Sequence, residues 1–333
     1  MDVYFSKTID DDVLKSMMSR FDVTDENWAV KVHFGEKGNT RYVSPKLIKP
    51  ILEEFSKKNN DHFLTDTNTL YRGKRLNATD HIELAMAHGF GELDIPIRIA
   101  DGEHGDDEMD VPVDGDIFDE VKIGRLIAEA KGLLVISHFK GHILFGFGGA
   151  LKNLGMGGGS RAGKLAMHSK IKPQIGASCI SCGTCVENCA SDAIVKTEKG
   201  YQITDACTGC AKCISVCPQG AIGVPWHGAT SEEAQKRCAE YAMGAAKKAV
   251  YFNFIIDVTK DCDCLSDSDI IADDIGVLAS TDPVALDQAC YDLLKEKNGK
   301  DVFQEANGVD GTHIMKHAEK LGLGTREYRL VEV

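Results

Sequence analysis

Eight of the twelve cysteines fall in two runs of one spacing. Cys179, Cys182, Cys185 and Cys189 read C-x2-C-x2-C-x3-C, and Cys207, Cys210, Cys213 and Cys217 repeat it. Three thiolates on one tight loop can reach three irons of a cubane, and the fourth cysteine of the run then belongs to a neighbouring cubane. The spacing therefore assigns Cys179, Cys182, Cys185 and Cys217 to one 4Fe–4S cluster, and Cys207, Cys210, Cys213 and Cys189 to a second. Structural zinc sites usually pair two CxxC units instead of three cysteines plus a crossed fourth. Two neighbouring clusters form a path for electrons, with potentials set by hydrogen bonds to sulfur and by solvent exposure.

The repeat extends beyond the cysteines, since Ala193-Ile194 matches Ala221-Ile222. This is the spacing of bacterial two-cluster ferredoxins. Pro218 follows the last cysteine of the second run, whereas Ala190 stands at that place in the first. Gly183, Thr184 and Ala211 are small enough for the backbone to fold over inorganic sulfide. Of the other four cysteines, Cys238 and Cys290 lie within helical patterns and read as small buried hydrophobes.

Cys262 and Cys264 occur in DCDCLSD, far from both runs. Thiolates are nucleophiles and metal ligands, and nearby carboxylates raise a thiol pKa. A free thiolate here would need a cation or metal beside it. A possible additional metal on Cys262 and Cys264, a reactive pair and bystander thiols all remain open. Side chains two apart on an extended chain point to opposite sides, so cooperation between the two requires a turn.

Further candidates collect after strand-like runs. His138 and His142, with Lys140 and Lys152, follow the run GLLVISHF. His33, with Glu36 and Lys37 behind it, follows WAVKV, and Asp66 opens DTNTLYRGKR. Gly158 to Lys164 fits G-x-x-x-x-G-K, but Leu165 stands where a P-loop needs Ser or Thr for magnesium. Lys152, Gly158, Gly163 and Lys164 are candidates for an anion site that would take a phosphate or carboxylate. The competing reading of the glycines is close packing.

These residues need elements to position them. Residues 28–34, 62–65, 95–99, 132–139, 249–258 and 276–279 read as strands, and 326–333 as an edge strand. Residues 45–58, 118–130, 232–248 and 283–295 read as helices, the last with Asp282 as N-cap and Pro283 in its first turn. The alternation predicts an α/β fold, a mostly parallel sheet with flanking helices. Residues 176–225 are expected to be a small ferredoxin-like α+β insert, with residues 1–175 and 226–333 sharing one core. In such sheets, binding groups collect beyond the carboxyl ends of the strands. His33, Asp66, His138, His142, Cys262 and Cys264 are thereby brought together as a hypothetical catalytic pocket.

The 333 residues carry a net charge of −13, which argues against a nucleic-acid partner. No apolar run is long enough to span a bilayer, and the N-terminus lacks the features of a signal peptide. A cytoplasmic protein is expected. Residues 101–120 hold ten Asp and Glu and no Lys or Arg, and read as a solvated acidic loop.

Taken together, VKVHFGEKGNT, TDTNTLYRGKR, HFKGHILFGFGGALKNLGMG, GKLAMH, CDC and DIGVLASTDPVALDQAC resemble the iron–sulfur proteins carrying "domain of unknown function 362". The resemblance spans nearly the whole chain. It implies one α/β domain interrupted by the two-cluster segment, and anaerobic or oxygen-sensitive physiology. It supplies no reaction. It also implies that His33, Asp66, His138, His142, Lys152, Lys164, His168, Cys262 and Cys264 form a site. The expected function is an oxidoreductase passing low-potential electrons through the clusters to that pocket. One alternative is an electron-transfer protein that docks an electron donor or acceptor protein. Another is a non-redox protein with structural clusters that binds an anion or metal.

Overall fold

The computed structural model describes residues 1–24, 26–168, 172–198, 200–226, 228–266 and 268–333. Lys199 of the cysteine-rich stretch and Asp267 of DCDCLSD therefore lie outside the described residues. Gly132–His138 is buried at every position, as an apolar run covered on both faces must be. It pairs in parallel with Trp28–Lys31 on one side and with Lys248–Ile255 on the other. Beyond Trp28–Lys31 come His62–Asp66 and Ile97–Ile99, both parallel. Beyond Lys248–Ile255 come Gly276–Ser280, antiparallel to both neighbours, then Asp2–Ser6, and Arg329–Glu332 at the edge. The fold is α/β, with a large, mostly parallel sheet.

Alternation along the strands feeds two cores. Leu133, Val135, Tyr251 and Leu278 face Leu151, Leu154, Leu286, Cys238 and Cys290. Leu134, Ile136, Val250, Phe252 and Val277 face Met17, Ile48, Leu52 and Phe55. Cys238 and Cys290 are thus packing residues, as their helical setting predicts. Sheet pairing also joins the chain before residue 174 to the chain after residue 224.

Between those halves, Gln174–Ile175 pairs with Ile222–Gly223, and Ile194–Thr197 with Gly200–Ile203. The segment has its own small core of Cys185, Ile194, Ala211, Ile214 and Ile222. Leu70 and Leu165 of the surrounding fold complete it. Arg72 Nη2 donates to Pro218 O at 3.3 Å, and Lys212 pairs with Asp106 at 2.9 Å.

Three local expectations change. Residues 118–130 are not one helix. Val121 and Ile123, both fully buried, alternate with Glu120 and Lys122 in the strand Glu120–Gly124, and only Arg125–Glu129 is helical. The acidic stretch is solvated as expected, since most of its carboxylates are exposed, but it is not all loop. Glu108–Pro112 pairs with Glu120–Gly124, Asp107 pairs with Arg125, and Asp101 is buried. The glycine-rich residues 155–163 belong mostly to the helices Ala150–Gly158 and Arg161–His168. A Cβ on Gly163 would lie 2.6 Å from both Lys122 O and the Tyr241 ring, so that glycine permits close packing and forms no anion cradle. Gly158 faces the Ala245 methyl. Among the described residues, no helix is long and apolar enough to cross a membrane.

Candidate functional site

The eight clustered cysteines line two concave spaces. Cys179, Cys182, Cys185 and Cys217 line one, with Ile180, Tyr201 and Ile222. Cys189, Cys207, Cys210 and Cys213 line the other, with Ile194, Ile203 and Ala211. Each space takes three cysteines from one run and the last cysteine from the other. The two loops also share a backbone path. Ser181 (φ 55°) corresponds to Gly209 (76°), and Gly183 (86°) to Ala211 (56°). A left-handed φ is unfavourable for serine and alanine, so its appearance at matching places marks a constrained turn. The crossing sulfurs also receive matching amides, Ala193 N on Cys189 Sγ and Ala221 N on Cys217 Sγ, each at 3.3 Å. N–H donors aimed at sulfur favour the thiolate that an iron–sulfur cluster requires. Four convergent sulfurs, amide donors and an apolar lining fit such a group.

The second constellation lies beyond the strand Lys248–Ile255. Leu265 N donates to Cys262 O at 3.1 Å, closing a turn over residues 262–265. That turn supplies what an extended chain lacks and sets the Cys262 and Cys264 thiols near enough to influence one another's ionisation. Arg75 Nη2 donates to Cys264 Sγ at 3.3 Å, and His33 Nε2 stands 3.7 Å from it. Gly35 N–H donates to His33 Nδ1 at 3.1 Å and Arg75 Nη1 donates to His33 Nε2 at 2.9 Å, so both ring nitrogens face donors and the ring is held against the guanidinium. Burial and Arg75 keep that imidazole neutral.

The neighbouring Cys262, Arg75 and His33 hold the Cys264 thiol well below its ordinary pKa. The neighbouring Cys264, with burial, pushes Cys262 up. Of the two sulfurs, Cys264, which Arg75 contacts, is the one whose thiolate is favoured. The expectation that the flanking acids would raise both thiols fails because those acids turn away. Asp263 Oδ1 lies 2.9 Å from His138 Nδ1, and Oδ2 lies 3.0 Å from Lys140 Nζ. Burial opposes ionisation of Asp263, but Lys140 and His138 outweigh it and hold the carboxyl below the usual range. Asp261 engages Ser268.

The remaining candidates separate by role. His142 Nδ1 accepts from Leu144 N and Phe145 N at 3.0 and 3.2 Å, which leaves Nε2 to carry the ring proton. Burial and Lys152 lower the His142 pKa and push His168 down to about 3. Both rings also feel the Cys264 charge, which places them in its neighbourhood. His168 packs edge-on against Phe145 and Trp226, and its buried Nδ1 has no hydrogen-bond partner among the described residues. The Lys152 ammonium lies 5.4 Å from the Phe145 ring centroid.

His138, by contrast, is committed to Asp263 and to Ile256 O at 2.7 Å, so it positions the turn. Asp66 is buried behind Arg75, paired with Lys31 at 3.0 Å and Arg75 at 3.5 Å. Lys164 donates to Thr67 Oγ1 and to Gly159 O, so it is committed to the scaffold and does not join Lys152 in an anion cradle.

Sequence reasoning passed over Arg75 and Tyr71, although both lie in DTNTLYRGKR. The Arg75 guanidinium bonds the Tyr71 hydroxyl and pairs with Glu36 at 3.3 Å, so it is braced while it touches Cys264. No periodicity marks an arginine in a loop, and only the fold shows what it faces. The same loop places Leu70 in the core of the cysteine-rich segment and Arg72 on Pro218, next to Cys217. One loop thus touches both constellations.

The family model described as Domain of unknown function (DUF362) matches residues 29–292. No curated protein is significantly similar to the chain. Among solved structures, the chain is similar to the lactate racemase apoprotein from Thermoanaerobacterium thermosaccharolyticum. The identity is 14% and the TM-score 0.43, over 77% of this chain and 51% of that one. It is also similar to a Thermotoga maritima protein solved by the Northeast Structural Genomics Consortium. There the identity is 10% and the TM-score 0.40, over 95% of this chain and 61% of that one. The chain spans about half of the first structure and about three fifths of the second.

Proposed function

The chain belongs to the family described as Domain of unknown function (DUF362), and from that premise we propose that it is an iron–sulfur oxidoreductase. Residues 176–225 act as a two-cluster ferredoxin-like insert in an α/β domain made of residues 1–175 and 226–333. Cys179, Cys182, Cys185 and Cys217 hold one 4Fe–4S cluster, and Cys207, Cys210, Cys213 and Cys189 hold the other. When bound, the clusters supply one-electron equivalents from a donor protein. The chain's own residues prepare the acceptor site at Cys264. Arg75 stabilises its thiolate, and Tyr71, Glu36 and His33 brace Arg75. Asp263, His138 and Lys140 fix the turn. A cytoplasmic, reducing setting suits this inventory of thiols.

The observation that carries the reading is the crossed composition of the two sulfur-lined spaces. An anaerobic preparation should contain about eight iron and eight acid-labile sulfide per chain, with a reduced-cluster paramagnetic resonance signal. Cys217→Ser should perturb the cluster of the first run, and Cys189→Ser that of the second. Zinc without sulfide, or a Cys217→Ser effect confined to the cluster of its own run, would sink the proposal.

A further inference from the structure

Cys262 and Cys264 meet in a turn that is only partly covered, and their surroundings differ. Both residues are partly exposed, although their sulfurs feel burial. Arg75, His33 and Tyr71 surround Cys264, and the Cys262 thiol lies beside it. A stabilised thiolate with a protonated thiol beside it is the apparatus of thiol–disulfide exchange: one sulfur attacks and the other resolves. Close by, the Lys152 ammonium lies over Phe145 with no carboxylate paired to it among the described residues. His142 keeps its Nε2–H available because Nδ1 already accepts two backbone amides.

We propose that Cys262 and Cys264 form a dithiol–disulfide couple that reduces a carboxylate-bearing disulfide, with Lys152 and the His142 Nε2–H receiving the carboxylate. The Cys264 thiolate attacks one sulfur of the substrate. A Cys264–substrate disulfide forms, the substrate S–S bond breaks, and one thiolate leaves. The negative charge on Cys264 is then gone, and with it the repulsion that disfavours a second thiolate at Cys262. Cys262 loses its proton to the departing thiolate, attacks the Cys264 sulfur and releases the second half of the substrate. The product is a Cys262–Cys264 disulfide and two substrate thiols. Two electrons, one from each reduced cluster, and one proton from solvent restore the thiolate–thiol pair, and a second solvent proton converts the last released thiolate to a thiol. That last step rests on the electron-delivery reading above, whereas the exchange steps do not.

The test uses the holoprotein under anaerobic conditions with two probes, the dianionic disulfide 5,5′-dithiobis(2-nitrobenzoate) and the uncharged 4,4′-dithiodipyridine. After reaction, maleimide trapping and peptide mass spectrometry read the state of each cysteine. In the wild type, about two thiols are released per chain and Cys262 and Cys264 end joined, with no adduct on either. Cys262→Ser stops at an adduct on Cys264 with about one thiol released. Cys264→Ser reacts at least about tenfold more slowly. Lys152→Met slows the dianionic probe about tenfold and leaves the uncharged probe unchanged.

Separate adducts on Cys262 and Cys264 in the wild type overturn the couple, as does a metal that blocks both thiols. Equal slowing of the two probes by Lys152→Met overturns the carboxylate assignment. If the disulfide forms but reduced clusters leave it intact, electron delivery fails while the couple stands. If clusters assemble and reduce normally while the two thiols never join, the couple fails and electron delivery stands.

Discussion

At the scale of single residues, the character of Cys264 rests on a braced cation. Arg75 is buried against Glu36 and Asp66 and still presents Nη2 to the sulfur. A cation at that distance favours the thiolate and lowers the thiol pKa. The sign follows directly. The wild-type sulfur is ionised at pH values where an ordinary thiol, titrating near about 8.5, is protonated. Arg75→Met should therefore slow iodoacetamide alkylation of Cys264 about tenfold or more at neutral pH, with the lost rate regained as pH rises. Arg75→Lys should recover part of it. Unchanged pH profiles in both variants would show that Arg75 does not hold the thiolate. Arg75→Met also leaves two buried carboxylates short of a partner, so a stability loss of about 3–5 kcal/mol accompanies it. The cysteines and histidines of this site were legible in the sequence because their types announce their chemistry. Arg75 and Tyr71 were not, because their role depends on residues 189 and more positions away in the chain.

At the scale of elements, the helix Ala150–Gly158 shows how the scaffold is pinned. Its N-cap, Gly149, offers no side chain. The carboxylate of Asp287, from the neighbouring helix Pro283–Asn298, does the capping instead. It accepts from Ala150 N at 2.7 Å, Leu151 N at 2.9 Å and Asn253 Nδ2 at 2.7 Å. Asp287→Ala leaves those buried donors unpaired and should cost about 1–3 kcal/mol in denaturant unfolding. Burial nevertheless raises the Asp287 pKa to about 6, against the hydrogen bonds that favour its anion. A folded pKa above the unfolded value near about 3.9 means that the native state binds the extra proton between those values. Stability contributed by this group is present below about pH 4 and is lost as pH rises through 6. The wild type should therefore lose stability between pH 5 and 7 by more than Asp287→Ala does. Equal slopes would remove Asp287 as the source.

The element boundaries show why sequence reading succeeded in some places. Gly132–His138 and Lys248–Ile255 were legible because a strand buried on both faces is apolar throughout. Residues 118–130 misled because Val121, Ile123 and Ile127 fit either a helical or an alternating period. Pairing with Glu108–Pro112, distant in sequence pattern and rich in acid, decided for the strand. The glycines of residues 155–163 look like a loop because composition cannot distinguish a flexible turn from a helix pressed against its neighbour. Gly155 lies so close to Cys238 that a Cβ there would come within 2.3 Å of its carbonyl oxygen.

At the scale of the whole molecule, the cysteine-rich segment and the sheet have separate sources of stability. Sheet pairing between Gly132–His138 and Lys248–Ile255 joins the chain across the segment, and two large cores flank that sheet. The segment itself has a small core and short two-stranded ribbons. So small a core rarely supplies stability alone, and metal ligation then becomes folding free energy. Chelation of iron under anaerobic conditions should therefore release residues 174–224 while the sheet persists. Hydrogen exchange reads this directly. Amides in Ile194–Thr197 and Gly200–Ile203 should lose protection, whereas those in Gly132–His138 and Lys248–Ile255 should keep theirs. The boundary should fall at Leu70 and Leu165, whose contacts tie the two parts together. Because Leu70 shares a loop with Tyr71 and Arg75, loosening the segment should also free the guanidinium. The alkylation rate of Cys264 should then fall on iron removal although no iron ligand touches it. If that rate stays constant while the segment unfolds, the loop does not couple the two constellations, and each works alone.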